Sequence, residues 1–307
     1  MSGYGKGFQP WRLVGTVYNW GICNEDPTMS CARSSWPGMN TPWLRCRAPR
    51  SAPRVRLVCF PHAGGAASFF KTWHEELPVD IEVSAVQYPG REDRLVDPHI
   101  DRMSQLVHLV AAALVPFLDR PLALFGHSMG AAVAYEVARS LERANATSGA
   151  EPLVRLIVSG RHAPSELVIG DVHLRSDDAV VDELVRLGGT DGELLRLPDV
   201  ASVFLPAIRG DFRLAETYRH AAGSPLACPV TAVIGTEDAE VTAAQAERWG
   251  EHTTGEFDLV QLPGDHFYLR DQQQVLLERI RRRLAATATS SPSRNPVSHM
   301  GLFGQRV

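Results

Sequence analysis

Pro121-Leu-Ala-Leu-Phe125, Gly126-His-Ser-Met-Gly130 and Ala131-Ala-Val-Ala-Tyr-Glu-Val-Ala-Arg139 follow one another without a break. An apolar run, a glycine-flanked turn and an alanine-rich amphipathic stretch in that order predict a short buried strand, a tight turn and a helix. The Gly-x-Ser-x-Gly pattern alone is weak, since a chain of this size shows one by chance about 10% of the time. Its context gives it meaning. A serine on a sharp strand-to-helix turn is held in strained geometry with its hydroxyl exposed, and glycines two residues to either side remove the Cβ atoms that would clash. The backbone N–H groups that follow open a helix, so its positive end faces an oxyanion formed at Ser128. The competing reading is a glycine-rich connection carrying an inert serine.

Outward from this turn, strand and helix patterns alternate. Val55 to Phe60, Ile81 to Gln87, Leu153 to Ser159, Val230 to Ile234 and Phe257 to Leu262 read as strands. Phe69 to Leu77, Met103 to Leu118, Ala243 to Trp249 and Gln272 to Leu284 read as helices, as does the stretch after the elbow to about Ala144. This alternation predicts an α/β fold with a mostly parallel sheet covered on both faces. Between Ser159 and Val230 lie 70 residues, far more than an ordinary crossover needs. Amphipathic stretches over Asp178 to Leu187, Glu193 to Leu197 and Ala201 to Tyr218 make that excess an inserted helical lid, about residues 171–224, with Gly188-Gly189-Thr190 and Gly210 as candidate hinges.

The chain has 307 residues, 44% of them hydrophobic, and a formal net charge of -4. Such a chain can bury one large core, and its charge argues against a nucleic-acid surface. No apolar stretch reaches the length needed to span a bilayer, and the N-terminus lacks the pattern of a signal peptide. Cys23, Cys31, Cys46, Cys59 and Cys228 are odd in number and scattered, which predicts a reducing, cytoplasmic compartment and no metal site. Residues 1–40, rich in Gly, Ser, Pro and Trp, read as a disordered leader, with a docking arm built on Trp11, Trp20 and Trp36 as the rival. Residues 285–307 read as a disordered tail.

A serine hydroxyl needs a base to take its proton and a third group to orient that base. His266, in a loop after the last strand, is the candidate base. His127 is adjacent to Ser128 on a turn that points it elsewhere, as a packing or lid contact. His62, His162, His173 and His220 read mostly as solvated or hydrogen-bonded histidines. For the acid, Asp238 follows strand Val230–Ile234 and preserves the chain order Ser, Asp, His. Asp211 is its rival, whereas Asp265 is too close to its neighbour to orient the ring. The loop Pro61-His-Ala-Gly-Gly-Ala-Ala-Ser68 follows an early strand, where a second oxyanion N–H is expected, and Ala63 is the residue assigned. Arg91 and Arg94 read as local ion-pair partners or as contacts to an anionic group.

Arg56-Leu-Val-Cys-Phe-Pro-His-Ala-Gly-Gly65, Gln87-Tyr-Pro-Gly-Arg-Glu-Asp-Arg94, Gly126-His-Ser-Met-Gly130, Val158-Ser-Gly-Arg161, Leu187-Gly-Gly-Thr190 and His266-Phe-Tyr-Leu269 resemble a type II thioesterase over roughly Thr41 to Leu284. These are the separate editing thioesterases of polyketide and non-ribosomal peptide synthesis. The resemblance implies an α/β-hydrolase fold over residues 41–284. It also implies removal of aberrant or stalled acyl groups from the phosphopantetheine arm of an acyl or peptidyl carrier protein. It implies a Ser128, Asp238 and His266 triad, an oxyanion hole of the Met129 and Ala63 N–H groups, and no cofactor beyond the pantetheine on the substrate. The alternatives are an acyl-CoA hydrolase or carboxylesterase using the same machinery, and a non-catalytic module that binds carrier protein.

Overall fold

The computed structural model describes residues 41–145, 153–189 and 192–286. The expectations placed on the leader 1–40, on Thr190 and on the tail from 287 onward lie outside those residues. The described residues form a seven-stranded sheet. Its strands are β1 (Leu44–Arg45), β2 (Val55–Phe60), β3 (Ile81–Val86), β4 (Leu122–His127), β5 (Leu153–Ser159), β6 (Val230–Gly235) and β7 (Phe257–Leu262). Their spatial order is β1-β3-β2-β4-β5-β6-β7. Every pairing is parallel except that of β1 with β3. The inner strands β2, β4 and β6 are buried at every position, whereas β7, at the edge, is only partly covered. Continuous Val, Ile and Leu runs are what a parallel sheet covered on both faces requires.

The covering helices are α1 (Trp73–Glu76), α2 (Met103–Leu114), α3 (Met129–Asn145), α4 (Asp177–Arg186), α5 (Gly192–Leu195), α6 (Pro198–Thr217), α7 (Ala243–Glu247) and α8 (Gln273–Ala286). One core joins α2 and α3 to one face of the sheet around Tyr135 and Trp249. The other joins α1 and α8 to the opposite face around Phe125 and Trp73. Alternate residues of β2 supply both, with Val58 in the first and Leu57 in the second.

The chain leaves β2 toward β3 on one side, and returns to β4 on the other side of β2. The connections that follow β2 and β4 therefore diverge, and a crevice opens between the carboxyl ends of these paired strands. The glycine-rich loop after β2 and the serine turn after β4 both lie at that crevice, because Phe60 is in register with Gly126.

Helices α4, α5 and α6 occupy the insertion between β5 and β6, and they carry an apolar cluster of their own that includes Val180, Leu184, Phe204, Ile208 and Phe212. Ser176 caps α4 by accepting from Ala179 N, and Pro198 opens α6, where its missing N–H is harmless.

Four helices differ from the sequence reading. Phe69 to Leu77 is a 3-10 turn, Ala67–Phe70, followed by the four-residue α1. Phe70, Trp73 and Leu77 all point into the core, so their helical spacing reflects burial rather than one continuous helix. Helix α2 ends at Leu114 and a 3-10 turn carrying Pro116 follows, because proline removes a donor and disfavours helical geometry before it. The stretch after Glu247 is likewise a 3-10 turn, Arg248–His252. Helix α8 reaches Ala286, two residues into the stretch read as tail.

Candidate active site

Ser128 connects β4 to α3 with a φ of 54°, one of two positive-φ non-glycine residues among those described. Holding a serine there costs about 1–3 kcal/mol, which the surrounding packing must sustain. Ser128 N donates to Ser159 O at 2.8 Å, and Ala131 N donates to Ser128 O at 3.0 Å. The flanking glycines are sterically required. A Cβ on Gly126 would stand 2.2 Å from Gly130 O, and one on Gly130 would stand 2.1 Å from Phe60 O. The turn thus lies against the end of β2 with no room for a side chain.

The loops after β6 and β7 interlock. Glu237 N donates to Gly264 O at 2.9 Å, and a Cβ on Gly235 would meet Asp265 O at 2.3 Å. Asp265 accepts from Phe267 N at 2.7 Å and so shapes its own turn. This arrangement sets His266 against Asp238, with Nδ1 at 3.0 and 3.1 Å from the two carboxylate oxygens. Their side chains are 6% and 0% exposed. An Nδ1–H donated to the carboxylate leaves Nε2 with its lone pair, the tautomer a general base needs. Asp238 also accepts from Glu240 N at 2.8 Å, which restrains the carboxylate.

Ser128, Met129, Ala63 and His266 line one cavity of about 960 Å³. Its apolar wall comes from Phe69, Phe267, Leu184, Ile208 and Phe212, so the inserted helices supply part of the chamber. Met129 is the first residue of α3, where unpaired N–H groups and the positive helix end meet. Ala63 sits in a turn closed by Gly65 N donating to His62 O at 2.9 Å, with Gly64 at a φ of 74°.

Asp211 does not touch His266. It lies on α6 and pairs with Arg91 through two bonds of 2.7 and 2.9 Å. Arg94 makes the local pair, with Asp97 at 2.7 Å, and stacks over Trp43. Glu240 pairs with Arg186 at 2.6 Å.

Two histidines pack beside the site, His127 as the packing contact expected of it and His62 against expectation. His127 is fully buried with its ring centroid 5.0 Å from that of His266. Its Nδ1 is 3.0 Å from Ser159 Oγ, which is in turn 2.7 Å from Tyr268 OH. His62 is buried too, packed edge-on against Phe69 and Phe267 at 4.8 Å. The expectation of solvated or hydrogen-bonded loop histidines fails at His62, where the residues after β2 turn inward under the inserted helices, and holds at His162 and His173, which bond Ala163 O and Glu216. Ser159 and Tyr268 both stand in motif stretches, Val158-Ser-Gly-Arg161 and His266-Phe-Tyr-Leu269, and a polar residue beside a buried strand end was the available signal. Among the described residues no group of three or more His, Cys, Asp or Glu side chains is placed to hold a metal ion. No described helix is long and apolar enough to cross a membrane.

Burial holds His62 down to about 3 and His127 well below the ordinary histidine value, with the Arg270 guanidinium adding to the effect. Burial also lowers His162 and His252, each to about 4. These groups stay neutral in the folded chain but take up protons in the unfolded chain below about 6.5. The unfolded state therefore binds more protons as the pH falls from about 6.5 toward the folded values, and stability drops across that window. For His62 alone the loss between pH 6.5 and 5 is about 2 kcal/mol. Urea unfolding midpoints are expected to fall clearly between pH 7.5 and 5.0, and a flat profile over that interval would show that these imidazoles are not held neutral.

A parallel sheet with a strained serine at the strand-to-helix elbow, and a histidine and carboxylate on the loops of the last two strands, defines a serine hydrolase of the α/β-hydrolase class. Within that class the chain belongs to the thioesterase domain family, which it matches over residues 55–284. It is 44% identical to the "Probable cadicidin biosynthesis thioesterase" of Streptomyces griseus over 74% of this chain, and spans 62% of that protein's length. It is 41% identical to "Thioesterase PikA5" of Streptomyces venezuelae, over 82% of this chain and 89% of that protein. Among solved structures, the type II thioesterase BorB from the borrelidin biosynthetic cluster is 39% identical, with a TM-score of 0.69 over 79% of this chain and 96% of that one.

Proposed function

We propose that residues 41–284 form an editing thioesterase that hydrolyses acyl groups from the phosphopantetheine arm of carrier proteins in polyketide or non-ribosomal peptide synthesis. The observation that carries this reading is the positive-φ Ser128 on a cavity shared with His266, whose ring is held by Asp238. His266 Nε2 takes the Ser128 proton as Oγ attacks the thioester carbonyl. The resulting oxyanion is held by the Met129 and Ala63 N–H groups. The carbon–sulfur bond then breaks, and the imidazolium returns its proton to the thiolate. Water, deprotonated by His266, attacks the acyl-serine, and collapse of the second tetrahedral intermediate releases the acid and restores Ser128. A thiolate leaves more readily than an amine, so this machinery suffices without strong leaving-group activation. Helices α4, α5 and α6 act as a lid that supplies the acyl chamber and excludes water.

The test is single-turnover hydrolysis of one short acyl group presented on holo-carrier protein and, in parallel, on coenzyme A. The carrier-bound group is expected to react about tenfold faster or more, through contacts beyond the shared arm. Equal rates would favour an acyl-CoA hydrolase, and cleavage of simple esters alone would favour a carboxylesterase.

A further inference from the structure

The buried ion pair between α6 and the loop after β3 does more than join two elements. Asp211 Oδ2 accepts from Gly64 N at 2.8 Å as well as from Arg91 Nη1 at 2.7 Å. Arg91 Nη1 also donates to Gly65 O at 3.0 Å. Both side chains are almost wholly buried, at 5% and 7% exposure. The Ala63–Gly64 peptide is the middle unit of the turn His62–Gly65, and positive φ at its third residue is the type II arrangement. A change to a type I turn would rotate this peptide but leave the Ala63 N–H, which belongs to the preceding His62–Ala63 peptide, in place, so what the clamp fixes is where the turn sits. Asp211 holds the Gly64 N–H, and Arg91 holds the Gly65 carbonyl. The inserted helices also lie over the same residue, since a Cβ on Gly64 would stand 3.6 Å from Ile208 and 3.7 Å from Leu184.

We propose that Asp211 and Arg91 are positioning residues that anchor the 62–65 turn at the place where its Ala63 N–H can reach the oxyanion, so that Ser128 is acylated at full rate only while α6 is seated. This rests on the reading of Ala63 as an oxyanion donor. Two features support it. The clamp reaches the turn from the insertion rather than from the sheet, so the turn reports where α6 lies. The carboxylate also stands one peptide from a site where negative charge develops, an anti-catalytic location unless a cation neutralises it. Arg91 supplies that cation and is itself anchored by Gln87, whose Nε2 donates to Arg91 O at 3.1 Å while its Oε1 accepts from Ala67 N.

The experiment uses the full chain and a short acyl thioester of N-acetylcysteamine, which needs no carrier protein. Asp211→Asn, Asp211→Leu, Arg91→Met and the double variant Arg91→Met/Asp211→Asn are compared for kcat, KM, melting temperature and inhibition by an acyl trifluoromethyl ketone, which forms a tetrahedral adduct with the serine. Loss of one oxyanion donor typically costs about 10²–10³ in kcat, and a loosened donor part of that. Asp211→Leu is expected to lower kcat about 30-fold or more with KM within about twofold, and to weaken the ketone by the same factor. Asp211→Asn keeps an acceptor for Gly64 N and is expected to lose less. The double variant is expected to exceed Arg91→Met in kcat, because it removes the uncompensated carboxylate. A fall in melting temperature with kcat and ketone inhibition retained would overturn the proposal and leave the pair a purely structural contact. So would a loss carried mainly by KM. Asp211→Asn is the nearly isosteric variant that keeps the test decisive if Asp211→Leu does not fold. Because the substrate is carrier-free, failure of the carrier reading leaves this outcome untouched.

Discussion

Replacing Ser128 by alanine is expected to lower kcat for acyl thioester hydrolysis by about 10⁴ to 10⁶, with the fold retained. On the energy scale this is about 5–8 kcal/mol of transition-state stabilisation. The size follows from the geometry. The elbow places one hydroxyl in the cavity beside His266, and removing it leaves only binding and the oxyanion donors. Alanine must still occupy a φ of 54°, so the variant keeps the strain but loses little packing, because Ser128 faces the cavity. Near-native stability with kcat reduced a thousandfold or more would match this account. Retention of a tenth of the activity would mean that Ser128 is not the nucleophile.

The second large effect belongs to Asp238. Asparagine is nearly isosteric but presents an amide to His266 Nδ1 and can favour the tautomer whose Nε2 is protonated, and that tautomer cannot accept the serine proton. Asp238→Asn is expected to reduce kcat by about 10² to 10⁴, the lower end reflecting the good thiolate leaving group. Reaction of Ser128 with a fluorophosphonate should slow in parallel, because both steps need the same proton transfer. Asp211→Asn, in contrast, leaves His266 and its carboxylate in contact. If Asp238→Asn kept wild-type reactivity while Asp211→Asn abolished it, the acid would have been placed on the wrong residue.

The α/β architecture was legible because its strands are continuous apolar runs and its elbow combines strand, turn and helix in the nineteen residues from Pro121 to Arg139. The insertion was legible from length alone. Strand β1 was not, since two residues carry no periodicity, and its pairing Leu44↔Val86 is a tertiary fact. Pro116 was a visible warning that α2 would stop early, while the break between Phe70 and Trp73 left the apolar spacing intact and so left no trace.

Within the site, the serine, histidine and carboxylate could be proposed from order and position, because loops at the carboxyl ends of parallel strands converge by topology. Partnership across the chain was harder. Arg91 and Asp211 are 120 residues apart, and nothing local in the charged loop distinguishes a buried clamp from an exposed ion pair. One signal was nevertheless present. Phe204, Ile208, Asp211 and Ala215 share one helical stripe, and a carboxylate on a buried stripe requires a cation. The inward turn of His62 had no such marker, because histidine is equally at home in solvent and in a packed aromatic wall.

The central claim is that carrier-bound thioesters pass through an acyl group on Ser128. Rapid quenching of the chain with an acylated holo-carrier protein, followed by intact-mass measurement and peptide mapping, tests it most directly. A transient mass increase equal to the acyl group, localised to the peptide containing Gly126 to Gly130 and prolonged in Asp238→Asn, is the predicted result. Steady hydrolysis with no adduct at any quench time, or an adduct on another residue, would contradict it.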